Sequence, residues 1–172
     1  IALRGQMMLT GEDAWSPMQF ENLDNVECHR DTTGPEIHLQ LDPNMPWSGF
    51  VGGAGTGGTM MGMHDYRDKT KFLDYKCVLV VPEEDAQNHG IQGINDGQDF
   101  LLDPDKMDDI MKVSTADAIE RARRLAQENG LLVGISAGAN VLAAERWIAK
   151  RRPAGVVVTI LCDRGERYLS CS

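Results

Sequence analysis

Apolar residues fall along this chain in two kinds of run. Short continuous runs, SGFVGGA at 48–54, KCVLVVP at 76–82, LLV at 131–133 and GVVVTILCD at 155–163, have the length of strands and end in glycine, proline or charge. STADAIERARRLAQENG, from Ser114 to Gly130, instead places Ala118, Ile119, Ala122, Leu125 and Ala126 on one helical face. Ser114 and Asp117 supply a capping-box start, and Gly130 supplies the stop. A second helix is predicted from about Gly138 to Arg151, and a third opens out of GTGGTMMGMHDYRDKT. The near-continuous β-branched character of the last run predicts a strand buried on both faces.

Strands alternating with helices place the chain in the α/β class, with a parallel sheet flanked by helices. Ligands of such sheets bind beyond the carboxyl ends of the strands, where two small-residue turns lie, GGAGTGGT at 52–59 and GISAGAN at 134–140. Two turns far apart in sequence are therefore expected to line one site.

Composition narrows the ligand. The chain is 42% hydrophobic and 25% charged, as an ordinary globular domain is, and no apolar run is long enough to cross a bilayer. A formal net charge of -9 opposes binding to nucleic acid or an anionic membrane, which leaves small molecules. Cys28, Cys77, Cys162 and Cys171 are scattered without a CxxC pair, so a reducing cytoplasm is expected. Cys28 stands beside His29, but no second pair has matching spacing, and no metal site is expected. The chain begins IALRGQMM, without an initiator Met, and reads as a piece of something longer.

The first glycine turn has the chemistry of an anion site. Glycines let backbone N–H groups converge, a following helix adds its positive dipole end, and Thr56 and Thr59 add hydroxyls. A terminal monophosphate, with more free oxygens than a bridging pyrophosphate, suits that donor set. Gly53-Ala54-Gly55-Thr56-Gly57-Gly58 also matches GxGxxG, and Glu83 at the end of the next strand could grip a ribose, so a dinucleotide is the competing reading. No Lys-Ser or Lys-Thr follows, which excludes a Walker-type loop.

QFENLDNVECHRDTTGPEI (19–37), GAGTGGT (53–59), HGIQGI (89–94), LLVGISAGAN (131–140) and GERYLS (165–170) occur in the order and approximate spacing of one family. The chain from Met18 onward resembles the cysteine synthase and cystathionine β-synthase family of pyridoxal-phosphate enzymes, with the tryptophan-synthase-β-like fold. The resemblance implies that 18–172 is the cofactor-binding α/β domain and 1–17 a remnant of the preceding small domain and its connection. It implies that Gly55, Thr56, Gly57, Gly58 and Thr59 cup the cofactor phosphate, and that Ser136 hydrogen-bonds the pyridine nitrogen. A neutral hydroxyl there, unlike a carboxylate, leaves the nitrogen largely unprotonated, which suits prompt loss of a β-leaving group followed by addition of a nucleophile. Capping of the following helix is a compatible role for Ser136. Gln19 is implied as a donor to the substrate carboxylate, Phe20 as a wall beside the ring, and Gly93 as a pocket glycine that leaves room for the amino acid.

The implied activity is β-replacement on an activated serine by a sulfur nucleophile, forming cysteine or a relative, in a cytoplasmic homodimer. Family members carry a Schiff-base lysine and a carboxylate-binding loop in an N-terminal half, and neither motif is present in this chain. Lys69, Lys71, Lys76, Lys106, Lys112 and Lys150 lack the motif context, so no catalytic residue is assigned. The loop between VVPEED and HGIQGI is shorter than usual, and INDGQDF replaces the commoner small-residue run. Alternatives are a non-catalytic cofactor-binding or regulatory subunit and, among enzymes, a serine or threonine dehydratase-like elimination.

Overall fold

The computed structural model describes residues 15–94 and 99–171, with backbone alone for 169–171. The strands are β1 (Trp47–Gly53), β2 (Lys76–Pro82), β3 (Asp109–Val113) and β4 (Val156–Thr159). All pair in parallel, in the order β3-β2-β1-β4. Helix α1 (Asp24–Cys28) runs through one π-helical turn, His29–Thr33, into α2 (Gly34–Gln40). Helix α3 (Gly58–Thr70) joins β1 to β2, and α4 (Thr115–Asn129) and α5 (Ile135–Arg151) join β3 to β4. No helix among the described residues is long and apolar enough to cross a membrane.

Successive strand residues point to opposite faces, so the sheet builds two cores. Phe50, Cys77 and Leu79 pack with Met60, Met63 and Tyr75 on one face. Val51, Val78, Val80 and Val113 pack with Ala139, Ala143 and Trp147 on the other. The result is a three-layer α/β/α sandwich with β1 in its centre, and each large side chain fully buried this way contributes about 1.5–3 kcal/mol.

The helix over 114–130 forms as its pattern predicts: Ser114 Oγ accepts from the Asp117 N–H at 3.1 Å, and Ala118, Ala122 and Leu125 are buried. Other boundaries differ. LLV at 131–133 is not a strand; Val133 makes a single antiparallel bridge to Arg164 while Leu131 and Leu132 are exposed. The connection from α4 to α5 is too short to reach the sheet, and the Gly130 and Leu131 N–H groups instead close the end of α4. Helix α5 begins at Ile135 rather than Gly138, because Gly134 is already its N-cap. The last strand covers only Val156–Thr159, and its residues are half-buried, since β4 is an edge and not a doubly covered strand. At the opposite edge, β3 escapes the hydrophobic pattern because Asp109 and Lys112 break its sequence DIMKV into apolar pieces too short to stand out.

Gly138 permits the tight packing of α5 on α4. A Cβ there would lie 2.2 Å from the Ala118 carbonyl oxygen and 2.8 Å from the Ala122 nitrogen, both backbone atoms that cannot swing aside. Gly138→Ala is therefore expected to lower stability by about 1–3 kcal/mol despite alanine's better helix propensity. Urea unfolding checks it; an unchanged or raised midpoint would show that the two helices can separate freely.

Candidate functional site

The two glycine turns meet at the carboxyl edge of the sheet. The Gly53 N–H, at the end of β1, donates to Asn140 Oδ1 on α5 at 2.9 Å. The Asn140 amide in turn donates to the Ile160 carbonyl at 3.0 Å, just past β4. Asn140 is 1% exposed, so neither bond competes with bulk water.

From Gly53 the chain turns into α3. Its N-cap, Gly57, has φ 91°, and a Cβ there would lie 2.4 Å from the Leu102 nitrogen, so only glycine fits. The first N–H groups of α3 lack acceptors within the helix and stand at its positive end. Thr56 Oγ1 accepts from Asn25 Nδ2 at 3.1 Å and from the Gly58 N–H at 3.3 Å. With both lone pairs taken, its hydroxyl proton is left for a ligand.

Thr59 has a comparable support. Its Oγ1 lies 3.1 Å from His29 Nε2, while His29 Nδ1 lies 2.8 Å from Thr33 Oγ1. Burial lowers the His29 pKa from 6.5, which favours the neutral ring. In the tautomer that accepts from Thr33 and donates to Thr59, the Thr59 proton is again free for a ligand. His29 thus serves a hydroxyl, whereas the adjacent Cys28 makes its contact with Thr32 on the exposed side.

The remaining residues singled out by sequence gather round this turn to different degrees. A Cβ on Gly55 would lie 2.7 Å from the Gly93 carbonyl oxygen, so those two glycines are in close approach. Gly93 has φ 85°, and no atom of the described residues lies within 4 Å of where a Cβ would stand. The Phe20 and Phe100 rings lie 4.6 Å apart between centroids. Gln19 is exposed; its carbonyl accepts from Asn25 Nδ2 at 2.8 Å, so one amide ties it to Thr56. Residues 95–98 of INDGQDF, and 1–14 of the remnant 1–17, lie outside the described residues.

Ser136 is 5% exposed in the first turn of α5 and, with Gly134 at the N-cap, is not the capping residue. A Cβ on Gly134 would lie 2.0 Å from Asp163 Oδ1, which places a carboxylate against the start of α5. That carboxylate already complements the α5 dipole, so α3 is the helix end better suited to receive an anion.

Asn25, His29, Asn140 and Phe100 contact the glycine turns or the residues singled out by sequence, and the motifs did not assign them. Asn140 had a usable signal, standing four residues after Ser136 on the same helical face. Of the lysines, Lys69 bonds Asp31 at 3.1 Å, Lys76 bonds Asp74 at 2.9 Å and Lys106 pairs with Asp103, while Lys71, Lys112 and Lys150 are exposed. Glu83 follows β2, where its N–H bonds the Val113 carbonyl. A cavity of about 970 Å³ lies at the opposite, amino-terminal ends of the strands, lined by Trp47, Phe72, Asp109, Trp147 and Arg151, away from the converging donors.

Residues 3–163 match the family described as Pyridoxal-phosphate dependent enzyme. Cysteine synthase B of Campylobacter jejuni is 39% identical over 96% of this chain and 56% of its own length. Among solved structures, a hydrogen sulfide-producing enzyme from Fusobacterium nucleatum superposes with TM-score 0.87 at 35% identity, covering 99% of this chain and 53% of that one. O-acetyl serine sulfhydrylase isoform 3 from Entamoeba histolytica gives TM-score 0.86 at 32% identity, covering 98% and 52%. The chain thus spans about half the length of these relatives, and the parallel sheet flanked by helices is that of tryptophan-synthase-β-like enzymes.

His29 makes the site's support sensitive to pH. The unfolded chain takes up a proton near the ordinary value of 6.5 and the folded chain only below it, so the stability His29 permits is complete above that value and is lost as pH falls. Urea midpoints measured between about pH 7.5 and pH 5.5 are expected to drop for the wild type and less for His29→Gln. Parallel curves would show that His29 titrates as it does in the unfolded chain.

Proposed function

The chain belongs to the pyridoxal-phosphate dependent enzyme family, and from that premise we propose that the whole protein catalyses pyridoxal-phosphate-dependent β-replacement, joining an activated serine to a sulfur nucleophile to form cysteine. The observation that carries the cofactor reading is the pair of threonine hydroxyls, each held by a protein partner, at the N-terminus of α3. Such a cup fits a monophosphate: amides and hydroxyls converge at the positive end of α3, and glycine at 55, 57 and 58 lets the turn pack closely on Gly93, Leu102 and Asn25. The dinucleotide reading gives way to it. Cysteine formation is supported by relatives named cysteine synthase and O-acetyl serine sulfhydrylase.

In this reading Gly55, Thr56, Gly57, Gly58 and Thr59 hold the phosphate, and Ser136 meets the pyridine nitrogen. When bound, the cofactor supplies an electron sink for chemistry at the substrate's α- and β-carbons. The Ser136 hydroxyl donates to the nitrogen without adding charge, which keeps that sink moderate and favours release of a β-substituent. Gln19 orients the substrate carboxylate, Phe20 with Phe100 excludes water, and Gly93 leaves space for the amino acid. Residues 18–172 are the cofactor-binding domain, and 1–17 connect it to the small one. The lysine that holds the cofactor lies in the part of the relatives' length that this chain does not span. A cytoplasmic homodimer accompanies the reading, with small molecules alone as substrates.

Supplying the whole protein with O-acetylserine and sulfide is expected to yield cysteine stoichiometrically. Pyruvate and ammonia in its place would mean elimination, and no turnover with any β-substituted serine would favour a binding subunit. Thr56→Val removes a hydrogen bond to a charged group, of about 1.5–3 kcal/mol, and is expected to weaken cofactor retention at least about tenfold on dialysis. Undiminished retention would take Thr56 out of the cup.

A further inference from the structure

Two segments beside the site, 18–22 and 99–102, are fastened to one residue of the first glycine turn. The Asn25 amide donates one Nδ2 proton to the Gln19 carbonyl at 2.8 Å and the other to Thr56 Oγ1 at 3.1 Å. Because a carbonyl oxygen can only accept, the amide nitrogen must stand on this side, and both bonds run outward from Asn25. The Thr56 carbonyl accepts in turn from the Leu101 N–H at 3.0 Å. Leu101 follows Phe100, whose ring meets that of Phe20 at 4.6 Å between centroids. The contacts close a ring, from Thr56 through Asn25 to Gln19 and Phe20, and through Phe100 and Leu101 back to Thr56.

We propose that Asn25 is a positioning residue that couples the phosphate seat to the substrate-carboxylate donor, so that an anion on the α3 turn sets the Gln19–Phe20 peptide in place for the amino acid. The proposal rests on the reading of the turn as a phosphate seat and of Gln19 as that donor. The link works through the Thr56 hydroxyl. When its proton goes to an anion, its oxygen becomes a stronger acceptor, and the bond from Asn25 tightens. A firmer Asn25 holds the Gln19 carbonyl more closely and orders the backbone that carries the Gln19 side chain. Such coupling is reciprocal: a carboxylate held by Gln19 tightens the phosphate by the same factor.

Asn25 is confined enough to transmit the change. It stands on α1, and a Cβ on Gly58 would lie 2.1 Å from its Oδ1, so glycine at 58 lets the amide lie against the first turn of α3. The segment it holds is a compact unit. Met18 has φ 51°, in the left-handed region, and its carbonyl accepts from the N–H groups of Glu21 and Asn22. The turn over 18–22 is thus closed on itself, and the Asn25 amide and the Phe20–Phe100 contact join it to the site.

An amide-resolved NMR titration of the chain with inorganic phosphate tests the coupling. The Phe20 amide shares its peptide with the Gln19 carbonyl and reports the link, while the Leu101 amide bonds the Thr56 carbonyl and reports a route that Asn25 does not serve. In the wild type, Phe20, Leu101 and the turn are expected to shift together with one midpoint. In Asn25→Ala the turn and Leu101 should still respond, with the midpoint raised about three- to tenfold by the loss of one neutral hydrogen bond, while Phe20 falls silent. Thr56→Val breaks the same link from its other end and should also silence Phe20, so the test stands even where Asn25→Ala does not fold. Unchanged resonances of α4, on the opposite face of the sheet, mark a folded variant. A Phe20 amide that stays still in the wild type, or that moves as before in either variant, would overturn the coupling alone, as would an Asn25→Ala turn that no longer responds at all. No saturable response at Gly57, Gly58 and Thr59 in the wild type would overturn the phosphate seat and the coupling with it.

Discussion

The site depends on one buried amide. Asn140 is the point at which β1, α5 and the segment leaving β4 are joined by specific bonds rather than by packing alone. A hydrophobic residue of the same size would leave the Gly53 N–H and the Ile160 carbonyl without their partner in a nearly dry interior, a penalty of about 1–3 kcal/mol for each group. Packing places the helices near the sheet; the amide sets where the first glycine turn begins relative to the second. That is the distance a ligand reaching from a phosphate cup to a ring-nitrogen partner must span.

A second constraint follows from charge. The chain is acidic, with a formal net charge of -9, and the donors that converge at the α3 turn are amides and hydroxyls rather than lysine or arginine. A neutral seat holds an anion through geometry, so its donors must be aimed before the ligand arrives. Asn25 does this from α1 by donating to Thr56, and His29 holds the Thr59 hydroxyl from the π-helical turn. Asp163 contributes by contrast, placing negative charge at the start of α5 and leaving α3 as the anion-accepting end.

Much of this could be read from the sequence, though unevenly. The helix from Ser114 to Gly130, the central strands and the glycine turns announced themselves because burial on a regular face leaves a periodic trace. Edge strand β3 did not, since half of its residues face solvent, and LLV at 131–133 misled because three apolar residues look alike in a strand and in a tight connection. The placement of Ser136 in the first turn of α5 was hidden by glycine: Gly134 caps that helix without a side-chain signal. The braces were the least legible part. Asn25, His29 and Asn140 act across 20 to 87 residues of sequence, and no local pattern distinguishes a brace from a surface polar group.

The central claim is that neutral donors at the start of α3, aimed by their protein partners, form the anion seat. An amide-resolved NMR titration of the chain with inorganic phosphate tests it directly. The account predicts saturable shifts at Gly57, Gly58, Thr59 and Met60, with little change at Ile135, Ser136 and Ala137. Shifts confined to the start of α5, or spread over the exposed lysines without saturation, would contradict it.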